Sequence, residues 1–158
     1  RQLLQEYGYL AFFIIFVIEG TMLLYFAPSE SLVPVAIILM ADSTYDYAII
    51  IGLAITGATL GQTALFLIAK YAGKEYLLET RWFTTNEEII DQFGEWFSQK
   101  GPIVIPISNS LLFTRGLLTV PAGLSDMRTS KFAILSAIGT LSFETILAAV
   151  TVGILEVI

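Results

Sequence analysis

The chain has 158 residues, of which 56% are hydrophobic and 14% are charged, and its mean hydropathy is +0.77. This apolar share exceeds that of a typical soluble domain, so a lipid bilayer is the expected solvent. Cysteine and histidine are absent, which excludes disulfides, thiolate metal sites and cysteine nucleophiles, and the net charge of −6 argues against nucleic acid as a partner.

The first apolar stretch, residues 8–41, is interrupted by Glu19, Pro28 and Glu30. Each arm that flanks the interruption holds about 11 residues, or roughly 16 Å of helix, which is half of a bilayer core of about 30 Å. Irregular backbone at that depth is tolerated only inside protein or beside water. We therefore predict a re-entrant hairpin whose backbone opens at Pro28.

Two later segments are long and apolar enough to span the membrane. Residues 47–69 carry no charge, and residues 132–155 carry only Glu144. At 1.5 Å per residue each segment is roughly 34 to 36 Å long, enough to cross the hydrocarbon core. Small residues give each segment a face for close helix packing: Gly52, Gly57, Ala58, Gly61 and Ala64 in the first, and Ser136, Gly139 and Ser142 in the second.

Residues 70–100 form the predicted connector, an amphipathic helix that starts at a capping box made by Thr85 and Glu88. Its apolar side chains share one helical face: Ile89, Ile90, Phe93, Trp96 and Phe97. The connector holds four basic residues, whereas the loop 42–46 holds none. The positive-inside rule therefore predicts that the connector is cytoplasmic.

The second broken stretch, residues 102–125, contains Arg115 and the backbone punctuation of Gly116, Pro121 and Gly123. If it re-enters instead of crossing, the basic residues after it stay on the cytoplasmic side, as the positive-inside rule favours. We therefore predict a second re-entrant hairpin, with charge and irregular backbone near the midplane.

The predicted fold is one all-α integral membrane domain, residues 1–158, with two inverted repeats. The first repeat is 8–69 and the second is 101–158, each a re-entrant hairpin followed by a spanning helix, and the cytoplasmic connector 70–100 joins them. Inverted repeats whose broken helices meet at the midplane are the pattern of secondary transporters.

Four ionisable residues fall at mid-membrane depth: Glu19, Glu30, Arg115 and Glu144. Each charge at a helix centre costs roughly 2.5 to 3.5 kcal/mol on insertion scales, so these groups must be paired, hydrated or neutralised. A functional interpretation gives the three carboxylates proton or cation coupling and gives Arg115 an anionic head group. The alternative is a structural ion pair between the hairpin tips, and a lone Glu144 could equally bond a neighbouring hydroxyl or amide.

Asn109 and Ser108 lie just before Arg115 and offer hydrogen-bonding groups. They are candidates for contacting a phosphate or sugar, although capping a half-helix is an equal alternative.

Several motifs of the chain are found together in one family of membrane proteins. The most specific is Arg115 six residues before Pro121, Ala122 and Gly123, with Met127 after it. The further motif residues are Glu19, Pro28, Ser29, Glu30, Gly57, Gly61, Lys70, Gly73, Phe113, Thr114, Val120, Leu124, Phe132 and Gly139. From residue 7 to 155 the chain resembles the DedA family, also called the VTT or SNARE-associated-Golgi-domain family. The resemblance implies two opposed re-entrant hairpins and lipid translocation: undecaprenyl-phosphate recycling in bacterial members and phospholipid scrambling in eukaryotic ones.

Three positions depart from the family pattern. Asn109 stands where an arginine is common, Leu112 where a proline is common, and Gln62 where an acidic residue is often found. One phosphate-binding cation is therefore absent, and a less charged substrate or a phosphate pose that uses Asn109 becomes possible.

The leading hypothesis is a flippase or scramblase, not an enzyme, that moves an anionic lipid such as a polyprenyl phosphate or phospholipid across the cell membrane. Protons or cations are its expected coupling partners, a homo-oligomer is an open expectation, and no cofactor or metal is predicted. The alternatives are a proton-coupled exporter of small solutes, a membrane scaffold, or an enzyme acting on lipid phosphates. The enzyme is disfavoured because the sequence has no paired-aspartate metal motif, histidine triad or Walker loop.

Overall fold

The computed structural model describes residues 2–22, 29–79, 87–111 and 115–157, and the secondary structure in these ranges is entirely helical. A short 3-10 turn covers Ser29–Ser31. The α-helices are α1 (Gln2–Gly20), α2 (Leu32–Met40), α3 (Thr44–Glu79), α4 (Glu87–Lys100), α5 (Val104–Asn109), α6 (Thr119–Leu124) and α7 (Thr129–Val157). The predicted hairpin opening at Pro28 and the departure at Leu112 lie outside the described residues.

The two predicted spanning segments are confirmed as long apolar helices, α3 and α7. The 29 residues of α7 extend for about 43 Å, which exceeds the thickness of a hydrocarbon core. Helix α3 runs into the predicted connector as far as Glu79, with a backbone break at Gly73 (φ 82°, ψ 174°). It continues past residue 69 because Leu77 is buried in a cluster that it shares with Leu65 and Ala69 of α3 and Val120 of α6.

Helix α1 packs along the first half of α3, and the two helices run in the same direction. Tyr9 bonds to Asp46 near the start of α3, whereas Gly20 lies against Ala58 and Gly61 near its middle. Glycine permits this approach, since a Cβ added to Gly61 would overlap the Val17 carbonyl oxygen. Helix α1 begins at Gln2, earlier than the predicted arm, because the residues before Tyr7 are good helix formers that continue the same helix.

Helix α2 runs back along α1, so the chain reverses direction between them. The Met40 sulfur at the end of α2 lies beside Gly8 near the start of α1. The helices share a buried apolar cluster with α3 and α7, to which Phe16, Ile37, Ile50 and Ala148 contribute.

The second half of the chain contributes two short helices that lie against the other ends of the long helices. Helix α5 lies beside the first half of α7, where Gly139 faces the backbone of Pro106. Helix α6 returns beside the second half of α3, and a Cβ added to Gly123 would lie 2.7 Å from the Ala69 Cβ. Both helices hold six residues and are shorter than the predicted arms, because a turn with a left-handed Gly116 (φ 78°) lies between them.

The exposed aromatic residues of α3 mark two levels. Tyr45 is 74% exposed and Tyr71 is 81% exposed. They are 26 residues apart, or about 39 Å along the helix, close to the ~40 to 45 Å between the outer limits of a bilayer's interfaces. Tyrosine is enriched at both membrane interfaces, so α3 has the length and the aromatic ends of a membrane-spanning helix.

Helix α4 is the amphipathic helix predicted in the connector. Lys74, just after the break in α3, forms ion pairs with Asp91 at 2.6 Å and Glu87 at 3.0 Å. On the other face, Phe97 packs against the buried cluster that contains Phe66 and Phe132. The position of the predicted cap, Thr85, lies outside the described residues.

Candidate functional site

Arg115 is the centre of a buried charged cluster. Its Nη1 atom lies 2.8 Å from Oε1 of Glu144, and its Nη2 atom lies 3.6 Å from Oε2 of Glu19. The side chains are 5% exposed for Arg115, 1% for Glu144 and 13% for Glu19. The guanidinium carbon also lies 4.9 Å from the Phe143 ring centroid, a cation–π contact that adds to its stabilisation in the low-dielectric interior.

Each charge of this cluster comes from a different element. Glu19 stands at the end of α1, which the glycines of α3 bring close. Arg115 belongs to the turn between α5 and α6. Glu144 lies 15 residues after Thr129 and 13 before Val157, hence about 22 Å and 20 Å from the two ends of α7. The cluster is therefore near the middle of a spanning helix.

Glu30 belongs to the same electrostatic environment. It lies in the turn before α2 and is partly buried, and both it and Glu19 are near enough to Glu144 to repel its carboxylate. One guanidinium and three carboxylates carry a formal charge of +1 − 3 = −2 when all are ionised. A net charge of this size is costly in a low-dielectric interior, and neutralising one or two of the carboxylates would lower that cost.

The sequence predicted that these four residues lie at a common depth, and the structure gives Arg115 its partners. Glu144 is not a lone carboxylate bonded to a hydroxyl or amide, because the guanidinium of Arg115 is its partner. The sequence indicated that both residues lie at mid-membrane depth. It did not indicate that they pair, because the contact joins α7 to a turn 29 residues earlier in the chain.

A second buried polar cluster is neutral and consists of Asn109, Gln62, Ser136 and the backbone of Gly116. The Asn109 amide donates to Oε1 of Gln62 at 2.9 Å and to Oγ of Ser136 at 3.0 Å. Ser136 also donates to Oε1 of Gln62. The carbonyl oxygen of Asn109 accepts a hydrogen bond from the Gly116 N–H at 3.0 Å. Asn109 thus holds the residue next to Arg115 in place.

Two of the three departures from the family pattern meet in this neutral cluster. Asn109 and Gln62 were noted separately in the sequence, and they are direct hydrogen-bonding partners in the structure. Ser136 is the member that sequence reasoning missed as a polar group, because it was assigned to a small-residue packing face. Its spacing of eight residues from Glu144 was the available signal, since such residues share one helical face.

The remaining predicted site residues occupy packing positions. Ser108 is fully buried in α5, and Pro121 and Gly123 are buried in α6. Gly116 adopts a left-handed conformation that favours glycine, directly after Arg115. These residues shape the turn that carries the guanidinium, and head-group binding by Ser108 stays a prediction.

Comparison with known proteins identifies relatives. A profile of the VTT domain matches residues 27–154. The chain is 24% identical to undecaprenyl phosphate transporter A of Staphylococcus aureus, over 88% of this chain and 70% of that protein. It is 24% identical to undecaprenyl phosphate transporter A of Bacillus subtilis, over 74% of this chain and 60% of that protein.

A third relative, named an alkaline phosphatase-like protein of Lactococcus lactis, is 26% identical over 94% of this chain and 71% of that protein. No solved structure matches the chain. The profile covers most of the helical bundle, including both long helices, Glu30, Arg115 and Glu144. The chain belongs to the VTT domain family, the DedA family of integral membrane proteins.

Proposed function

We propose that the chain is a lipid transporter that moves an anionic lipid, such as a polyprenyl phosphate or a phospholipid, across the cell membrane. Two relatives carry the name undecaprenyl phosphate transporter, which supports a phosphate-bearing lipid as the substrate class. The observation that carries the proposal is the buried guanidinium of Arg115 at mid-membrane depth, held by Glu144 and Glu19. A phosphate, like a carboxylate, offers oxygens that match the fork of a guanidinium.

The mechanism we propose is an exchange of partners on Arg115. A phosphate head group replaces a carboxylate on the guanidinium, while the acyl or prenyl chain stays in the bilayer. The released carboxylate must be neutralised, because an isolated charge in the membrane interior is costly. Glu19, Glu30 and Glu144 would then take up protons or cations, and this couples their uptake to head-group binding.

The helical arrangement supports the alternating opening of two inverted repeats. Helices α1 and α2 lie along the first half of α3, whereas α5 lies along the first half of α7 and α6 lies along the second half of α3. Lys70 of α3 bonds to the Met127 carbonyl just before α7 begins, and Ile50 near the start of α3 shares a buried cluster with Ala148 in the second half of α7, so the two long helices run in opposite directions. We propose that both hairpins re-enter from opposite sides, with the connector 70–100 in the cytoplasm, and that their tips meet at Arg115.

The head-group role first given to Asn109 takes a different form in this proposal. Its amide is engaged by Gln62, Ser136 and Gly116. We propose that Asn109 positions Arg115 by fixing the turn that follows it, and that the oxyanion is held mainly by the guanidinium.

The test is head-group translocation in proteoliposomes with a labelled polyprenyl phosphate or phospholipid. Wild-type protein is compared with Arg115→Ala and Glu30→Gln, and Lys100→Gln, at the end of α4, is the control. Movement that depends on Arg115 and loses its pH dependence in Glu30→Gln supports the proposal. Equal movement by wild type and Arg115→Ala contradicts the binding role of the guanidinium.

A second candidate is a proton-coupled exporter of small solutes, which the excess of carboxylates in the charged cluster also favours. Proteoliposomes that move no lipid but show pH-driven solute flux would support it. Release of inorganic phosphate from the lipid is measured in the same vesicles, because hydrolysis would revive the enzyme alternative.

A further inference from the structure

Thr140 carries a buried hydroxyl that the charged and neutral clusters do not use. Its side chain is fully buried in α7, and its Oγ1 atom has no hydrogen-bond partner among the residues that the structure describes. Buried hydroxyls are rarely left unpaired, because burial removes their hydrogen bonds to water without replacement.

Several other hydroxyls of the long helices bond to the carbonyl four residues earlier, although the Thr59 hydroxyl of α3 also lacks a partner among the described residues. Thr151 donates to Leu147 at 2.8 Å, and Thr56 donates to Gly52 at 2.7 Å. For Thr140 the carbonyl four residues earlier belongs to Ser136. The group that donates to this carbonyl oxygen, at 3.5 Å, is the Asn109 amide and not the Thr140 hydroxyl. The Thr140 hydroxyl is therefore a free donor in the interior of the described bundle.

Along α7, Thr140 lies four residues after Ser136 and four residues before Glu144. Ser136, Thr140 and Glu144 share one buried face of α7. Neighbours at this spacing have Cβ atoms about 5 to 6 Å apart, within reach of a hydrogen bond between threonine and a glutamate side chain. Glu144 thus has an unused donor on its own helix, one turn from the carboxylate.

The proposed exchange on Arg115 creates a need for such a donor. Three charged groups surround Glu144: Arg115 in the turn after α5, Glu19 in α1 and Glu30 in the turn before α2. Helix α2 and the segment 47–69 carry no charge. Once a phosphate occupies the guanidinium, the charged neighbours left to Glu144 are carboxylates, which repel it.

We propose that Thr140 is a positioning residue whose hydroxyl donates a hydrogen bond to the Glu144 carboxylate when a phosphate-type oxyanion occupies Arg115. This inference rests on the proposed function and adds a second side-chain position for Glu144, which it adopts when it is displaced from Arg115. In the resting state Glu144 pairs with Arg115. In the loaded state it turns toward Thr140, whose hydroxyl stabilises its ionised form until it takes up a proton.

The test compares Thr140→Val and Thr140→Ser in the proteoliposome assay, with Thr151→Val on the same helix as the matched control. Valine keeps the shape of threonine and removes an unpaired hydroxyl, so Thr140→Val should unfold at the same temperature as wild type or higher. Its translocation of labelled polyprenyl phosphate should nevertheless fall about tenfold, the effect of losing one hydrogen bond to a charged group. Thr140→Ser and Thr151→Val should keep the wild-type rate.

The pH profile separates this role from a structural one. Without the hydroxyl, the displaced Glu144 is stable only when protonated, so the rate of Thr140→Val should recover as the pH is lowered. In a Glu144→Gln background the displaced side chain is neutral, and Thr140→Val should then have no further effect. An equal loss in both backgrounds, or a loss in Thr140→Ser as large as in Thr140→Val, would overturn the inference.

A binding measurement distinguishes failure of this inference from failure of the proposed function. Farnesyl phosphate in detergent should raise the unfolding temperature of wild type, less so that of Thr140→Val, and not that of Arg115→Ala. A rise in wild type that Thr140→Val keeps in full, with an unchanged transport rate, overturns the role of Thr140 alone. No rise and no lipid transport in wild type overturns both proposals.

Discussion

The two buried polar clusters compensate for the burial of polar groups in different ways. In the charged cluster, Arg115 faces Glu19 and Glu144, with Glu30 nearby, and the formal charges do not cancel. In the neutral cluster, Asn109 donates to Gln62 and accepts from the Gly116 N–H, without any charge. The clusters are linked, since Asn109 bonds to Gly116, the residue after Arg115.

The two clusters differ in whether their members are free to change partners. The neutral cluster is a hydrogen-bonded network in which each bond supports the next, and networks of this kind rigidify a core. The charged cluster keeps an excess of acceptors, and in the proposed mechanism Arg115 exchanges a carboxylate for an incoming anion while the carboxylates take up protons or cations. We interpret the neutral cluster as a fixed support and the charged cluster as the part that exchanges partners in the proposed mechanism.

The largest effect is expected from Arg115→Ala, which removes the cation and leaves Glu144 and Glu19 buried without it. Breaking a buried ion pair from one side costs about 3 to 5 kcal/mol, so the unfolding free energy should fall by that order. Chemical denaturation in detergent measures the loss. The double variant Arg115→Ala with Glu144→Gln is the control and should recover much of it; no recovery would mean that Glu144 is not the main partner.

Breaking the neutral cluster should have the next largest effect. Asn109→Leu leaves the Gly116 N–H unpaired and removes the donor that Gln62 and Ser136 share, and each buried polar group left unsatisfied costs about 1 to 3 kcal/mol. The unfolding free energy and the transport rate should both fall, because the turn that carries Arg115 loses its support. Asn109→Asp keeps the acceptor for Gly116, and a transport rate as low as that of Asn109→Leu would contradict this role.

A smaller effect is expected from widening the approach of α1 to α3. Gly61→Ala places a Cβ against the Val17 carbonyl, and overpacking of this kind costs about 1 to 3 kcal/mol. The shift should also draw Glu19 away from Arg115 and reduce transport. Gly52→Ala on the same helix is the matched control, because no atom lies within 4 Å of its added Cβ. Equal losses in both variants would mean that close packing of α1 is unimportant.

The smallest effect is expected where charges pair at the surface. Lys74→Gln removes two exposed ion pairs, with Asp91 and Glu87, and exposed pairs of this kind contribute little because water and salt screen them. The unfolding temperature should not change measurably at physiological salt. A loss as large as that of Arg115→Ala would remove the distinction between buried and surface charge on which the comparison depends.

The long helices were the most predictable part of the fold. The uncharged run 47–69 and the nearly uncharged run 132–155 predict α3 and α7, because a spanning helix must satisfy its own backbone and expose apolar side chains. The bounds were less predictable. Leu77 extends α3 through a contact with α6, and such a tertiary contact leaves no periodic signal in the local sequence.

The charged residues were predictable as a set, but their pairing was not. Charge at mid-membrane depth is rare and costly, so Glu19, Arg115 and Glu144 stand out in an apolar sequence. Their partners depend on how α1, α7 and the turn after α5 pack together. The hydrogen bond between Asn109 and Gln62 was hidden for the same reason, since each is an ordinary amide in its local sequence.

The depth of Glu144 has an electrical consequence. It lies about 20 Å from either end of α7, so an ion that reaches it from either side has crossed about half of the membrane. A full crossing by one elementary charge is worth about 2.3 kcal/mol per 100 mV, and half of that is about 1.2 kcal/mol. In the proposed mechanism, protonation of this carboxylate would therefore depend on the transmembrane voltage as well as on the pH, so the membrane potential of the host cell would influence how often the site is neutral.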